Sequence, residues 1–197
     1  NTDQSGLYTL EDLEPATNYK AWVRSVCDAP NGNGAWIGPV PFKTGCEITE
    51  GFVETFNSTP VSGLPGCWSK ILRANGGILK PNANVVVTET NVSNNTKSVA
   101  LESKNSTGDF DVILVSPRVS TLAAGSNYRL RFTSRYSNDN IEIGTLSSST
   151  NTATWTKFET VFFNDTGKQE EYFVDFLFYF GEDQFIGIRL PNDDSLG

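Results

Sequence analysis

Residues 8–44 read YTLEDLEPATNYKAWVRSVCDAPNGNGAWIGPVPFKT, a run of β-formers punctuated by turn residues. Tyr19, Ala21, Val23 and Ser25 alternate with Lys20, Trp22, Arg24 and Val26, the period of two that sends one set of side chains to each face of a strand. Asn31 to Gly34 is rich in Asn and Gly, as a tight turn with positive φ demands. Trp36 to Thr44 returns as the last strand of the stretch, and Pro39 and Pro41 confine it to a sheet edge or a bulge. With one further strand before Tyr19, residues 8–44 are expected to supply three strands.

From Cys46 onward, Ser/Thr/Asn-rich loops separate short runs of β-formers. Val85–Thr88, Ser98–Leu101, Val112–Val115, Tyr128–Thr133, Ile141–Ile143, Thr154–Phe163, Tyr172–Phe180 and Phe185–Leu190 are the predicted strands. No comparable stretch has helical spacing with caps. Many short strands with frequent turn signals predict an all-β sandwich or jelly roll.

Leu13, Pro15, Thr17 and Tyr19 form an L-x-P-x-T-x-Y run that resembles the E–F corner of fibronectin type III domains. The resemblance implies a partial domain over residues 1–45. It also implies a corner role for Tyr19, with its ring buried and its hydroxyl bonded to upstream backbone. A sandwich of this kind needs about seven strands, so three imply a piece of a longer chain, or strands shared with a neighbouring domain or chain. Residues 46–197 carry a second resemblance. GFVETFNSTPVSGLPGCW (51–68), DFDVILVSPRV (109–119), GSNYRLRFTSR (125–135), IEIGTLSSSTNTATWTKFETV (141–161) and QFIGIRL (184–190) are similar, in this order, to the jelly-roll modules called MAM-like, cleaved-adhesin or choice-of-anchor domains. Such modules are common in secreted and cell-surface proteins of the Bacteroidetes. They open with an acidic-aromatic strand, here the one holding Glu54. They close with a strand of paired acids that has no counterpart before Gly197.

Composition narrows the function classes. The chain has 197 residues, 38% of them hydrophobic, enough for one large or two small cores. Fifteen Lys and Arg against 23 Asp and Glu give a net charge of −8, which disfavours nucleic acid and anionic membrane as partners. No apolar run approaches the 18 or more residues of a membrane helix, so membrane insertion is not expected. Met is absent even at position 1, and the chain is read as part of a longer product. The absence of His removes Ser-His-Asp and Cys-His nucleophile activation and imidazole metal sites.

Cys27, Cys46 and Cys67 lack the spacing of zinc or redox motifs. A Cys46–Cys67 disulfide would close a loop of about 20 residues and stabilise the fold by about 3 kcal/mol in the chain-entropy picture. Cys27 lies at the far end of its strand, about 20 Å away and beyond bridging distance. Three buried free thiols are the alternative, expected only in a reducing compartment.

The resemblance places a structural calcium ligand at Glu54, with Asn57 where a carboxylate often stands. An exposed strand acid is the simpler reading of Glu54. No other cofactor is implied. Asp109 and Asp111 flank Phe110, and Glu182 adjoins Asp183; acids two apart on a strand share a face and do not oppose each other across a cleft as glycosidase acids do. Asn57, Asn91, Asn94, Asn105 and Asn164 begin N-x-S/T sequons, read here as solvated loops because the resemblance is bacterial. Asp194-Ser195-Leu196 resembles a Bacteroidetes O-glycosylation acceptor. Trp36, Tyr136 and Trp155 fall in or beside polar loops, and Arg135, Asn138, Asp139 and Asn140 adjoin Tyr136. Aromatic faces beside amide, carboxylate and guanidinium groups suit sugar rings, although Trp68 and Trp155 equally suit a core. The chain is therefore expected to be a non-catalytic, extracellular adhesion or binding module that grips a glycan or cell-surface protein. Resemblance implies export by the type IX route. The alternative is a carbohydrate-binding module accessory to a polysaccharide-degrading enzyme; a hydrolase is the least supported.

Overall fold

The computed structural model describes residues 8–26, 30, 32–89, 96–104, 106–120, 122, 128–135, 140–163 and 168–191. Every regular element among them is a strand, eleven in all, and the chain divides into two compact units, Asn1–Glu47 and Ile48–Gly197. The all-β class expected from alternation is what forms.

In the first unit, β1 (Asn18–Val23) pairs antiparallel with β2 (Ile37–Lys43), Tyr19 opposite Phe42 and Ala21 opposite Val40. The register shifts between Ala21 and Val23, so the bulge expected from the prolines is present in β2. Tyr19 stacks on Phe42 with ring centroids 5.7 Å apart, and its hydroxyl accepts the Glu14 N–H at 2.9 Å. Thr44 Oγ1 donates to Glu14 O at 2.6 Å and accepts the Thr17 N–H at 2.9 Å. These bonds fold the segment before β1 into a knot of turns, with Asp12 and Ala16 at positive φ. The third strand expected there does not form among the described residues: side chains and turns take up its backbone groups in place of a ladder.

The second unit is built on a five-stranded antiparallel sheet in the order β3 (Ser69–Ala74), β6 (Phe110–Val115), β11 (Phe185–Arg189), β8 (Asn140–Leu146), β9 (Trp155–Phe162). Two hairpin-like pairs complete it, β4 (Asn84–Thr88) with β5 (Ser98–Glu102), and β7 (Arg129–Arg135) with β10 (Gln169–Asp175). Val85, Phe110, Val112, Leu114 and Leu190 form one core cluster with Trp68, Val99 and Leu101 packed against it. Ile141, Ile143, Val174, Phe176, Tyr179 and Ile186 form a second, joined by Leu130, Phe132 and Phe158. Alternate residues of the large sheet thus pack under both smaller pairs. β6 lies inside the sheet, and all six of its residues are buried.

Three local differences from the sequence reading have physical causes. Residues 51–56 hold no strand, and Val53 is 93% exposed. The Glu54 carboxylate accepts the Phe56 N–H at 2.6 Å, and Phe56 takes φ 61°, which ends any extended run. Phe52 and Phe56 instead pack edge-on against Trp68, centroids 5.4 and 5.5 Å away. β10 stops at Asp175: the Phe176 N–H makes one more bond in the same register, to Tyr128 O, and a turn then returns the Tyr179 N–H to Phe176 O. β3 was not expected: Ile71 and Leu72 are adjacent apolar residues that pack on opposite faces, so period-two alternation does not mark it.

Candidate functional site

Charged side chains cross one face of the five-stranded sheet in alternating sign: Arg73, Asp111, Arg189, Glu142 and Lys157, one from each strand in spatial order. Asp111 is 1% exposed. Its Oδ2 accepts from Arg73 Nε at 2.7 Å, from Arg73 Nη2, and from Asn75 Nδ2 at 2.8 Å, while Arg189 Nε lies 2.8 Å from Oδ1. Arg189 continues to Glu142 at 3.2 Å and to Asp109 at 3.3 Å, and Lys157 reaches Glu142 at 3.4 Å. A charge as buried as Asp111 is tolerable only when paired and hydrogen-bonded; here Oδ2 takes the hydrogen bonds and Oδ1 is ion-paired with Arg189. Asp109 and Asp111 share one arginine and do not face each other across a cleft. Asp183 is also engaged, accepting Thr145 Oγ1 at 2.7 Å.

Trp155 belongs to this same face. Its ring lies over Gly144 and Gly187, where an added Cβ would come within 2.6 Å of the indole. The Arg189 guanidinium sits 5.9 Å from the ring centroid. Asn140, opposite Phe162, opens β8, whereas Trp155 pairs with Leu146 at its other end. Six strand residues, about 20 Å, therefore separate Trp155 from Asn140, and the two do not share a site. Arg135 ends β7 opposite Gln169; Tyr136, Asn138 and Asp139 lie outside the described residues.

Glu54 and Asn57 each give an oxygen to a backbone N–H, Glu54 to Phe56 at 2.6 Å and Asn57 Oδ1 to Lys97 at 2.8 Å. Among the described residues no three or more Asp, Glu, Cys or His gather as a metal group. This donor set falls short of the six to eight oxygens that calcium takes. Cys46 and Cys67 are both disulfide-bonded; Cys27, Asn91, Asn94, Asn105, Asn164 and Asp194-Ser195-Leu196 lie outside the described residues.

The first unit exposes aromatic rings that the sequence reading used only in part. Lys20 and Trp22 share one face of β1 by parity, and Arg24 follows just past the strand's end. Trp22 is 52% and Trp36 60% exposed, and the two line a groove of about 390 Å³. The Arg24 guanidinium lies 4.6 Å over the Trp36 ring, a cation–π contact. Gly38 has φ 141°, and a Cβ there would meet Trp22 Cδ1 at 2.9 Å, so the indole rests directly on the β2 backbone. Alternation places Trp22 on the strand face shared with Lys20 without saying whether that face is covered; the K-x-W-x-R spacing is the available signal. On the opposite face Val23, Ile37 and Val40 are exposed beside the Tyr19–Phe42 stack.

Arg129 and Asp175 form an exposed pair on the β7–β10 ladder, with Nε to Oδ1 at 2.5 Å and Nη2 to Oδ2 at 2.9 Å. The hydrogen bond from Arg129 holds the Asp175 carboxyl below its ordinary range; partial desolvation opposes this and the guanidinium charge adds to it. The same bond raises Arg129 above its ordinary value. No protein-family model, curated protein or solved structure matches this chain.

Proposed function

We propose that the chain is a non-catalytic, extracellular binding or adhesion module of a larger surface or secreted protein. Its resemblance to the tail of a fibronectin type III domain followed by a MAM-like jelly roll supports that setting. The observation that carries the reading is the exposure of Trp22 on β1 and of Trp36 just before β2, since large exposed aromatics beside polar groups favour recognition. The carboxylates weighed for hydrolysis are held by arginine or by hydroxyl groups instead. A carbohydrate-binding module serving an enzyme elsewhere is the second form of the same reading, favoured by the indoles.

The test is a screen of the purified chain against immobilised glycans and cell-surface proteins, run beside a turnover assay. Retention without turnover is expected. Release of reducing ends or cleaved peptide, lost in Asp109→Asn, would sink the proposal. Strand-sharing is a further part of the reading, supported by exposed Val23, Ile37 and Val40, an apolar face of the kind that another sheet covers. Light scattering that finds only a well-behaved monomer would remove that part.

A further inference from the structure

We infer that the end of the β1–β2 pair where Trp22, Trp36 and Arg24 meet is a binding site for a uronate-rich, anionic polysaccharide, with Trp22 and Trp36 as stacking platforms and Arg24 as the group that reads the acid. This rests on the non-catalytic binding reading and adds to it a site and a ligand class.

Both indoles are preorganised. An exposed indole gives affinity only if little rotamer freedom is lost on binding. Trp22 lies against Gly38, where even a methyl group would collide with its ring, and Trp36 lies under the Arg24 guanidinium. Both rings are thus held before any ligand arrives. The Arg24 guanidinium, 4.6 Å over the Trp36 ring, stands at one wall of the groove that the two indoles line.

The chain carries a net −8, yet β1 (NYKAWV) and β2 (IGPVPFK) contain no Asp or Glu. The strands beside the indoles are therefore free of acidic side chains, and Arg24 is the cation against them. No carboxylate pairs with Arg24 among the described residues, and a guanidinium stacked by its face still offers its edge N–H groups. That edge matches a planar carboxylate bidentately. A neutral sugar would use the rings and leave the cation idle; a polyanion uses both. Because the field of the whole molecule repels a polyanion, the attraction is short-range and falls with salt as surface charges are screened.

The experiment is native affinity electrophoresis of the full chain through gels containing alginate, with κ-carrageenan and laminarin as sulfated and neutral comparisons. Wild type is expected to be retarded by alginate, less so at high salt, and much less by laminarin. Trp22→Ala and Trp36→Ala should weaken alginate binding by about tenfold or more, the scale of an aromatic hot spot. Arg24→Gln, which keeps both indoles, should abolish the preference for alginate over laminarin, so the inference does not depend on the tryptophan variants folding well. It is overturned if alginate does not retard the chain, if carrageenan or laminarin does so as strongly, or if Arg24→Gln behaves as wild type. Loss of binding in Tyr136→Ala with Trp22→Ala unaffected would also overturn it. Failure of the non-catalytic reading is separate, appearing as reducing ends released from the polymer.

Discussion

Arg73 of β3 and Asp111 of β6 face each other across the ladder that joins their strands, the guanidinium donating through Nε at 2.7 Å and through Nη2 to a carboxylate that is 1% exposed. Nη1 of the same arginine donates to the carbonyls of Asn151 at 2.6 Å and Ala153 at 3.0 Å. One side chain therefore neutralises a buried charge and ties a loop to the sheet.

Arg73→Met is expected to destabilise the second unit by about 3 kcal/mol, the lower end for breaking a buried pair, because Arg189 still contacts Asp111. Urea denaturation measures this. Arg73→Lys should recover only part of the loss, since a point cation cannot reach the carboxylate and both carbonyls together. A loss below about 0.5 kcal/mol, typical of surface substitutions, would show that the pair is not buried as described.

Gly187→Ala should cost about 1–3 kcal/mol through overpacking, because its Cβ would stand 2.6 Å from Trp155 and 2.7 Å from Leu146. In Trp155→Leu the same glycine change should cost clearly less, so the two effects fail to add. Simple additivity in a double-mutant cycle would remove the contact from the account.

Asp175 should titrate below the ordinary carboxylate range in a carboxyl-carbon NMR titration, and Arg129→Gln should return its midpoint upward. A group whose folded-state pKa is depressed stabilises the fold above the unfolded-state value. That contribution is lost as pH falls through the depressed folded value. No movement of the midpoint in Arg129→Gln would contradict the assignment of cause.

Peptide mapping without reductant is expected to link the peptide containing Cys46 to the one containing Cys67. Replacing both by Ser should lower stability by about 3 kcal/mol. A map that places Cys27 in the linkage would refute the pairing.

Most strands were legible because alternation is local: residues i and i+2 share a face whatever lies beneath. Val85–Thr88 and Phe185–Leu190 could therefore be read to within a residue or so of the strands that form. The candidate site was legible only in part. Trp36 stood out beside a polar turn, but the exposure of Trp22 depends on which side of β1 another layer covers, and strand parity does not say that. Glu54 is placed in a strand only by the resemblance to MAM-like modules, whereas its own carboxylate captures a nearby N–H and makes a turn.

Taken alone, the order of residues determined that this chain is all-β, acidic and without His, because composition and period-two spacing need no partner to be read. Tertiary structure alone decided that Arg73, Asp111, Glu142, Lys157 and Arg189 line up on one sheet face. The physical reason is that strand order β3-β6-β11-β8-β9 is set by burial of apolar faces between layers, and only after that burial do charges distant in sequence come within bonding range.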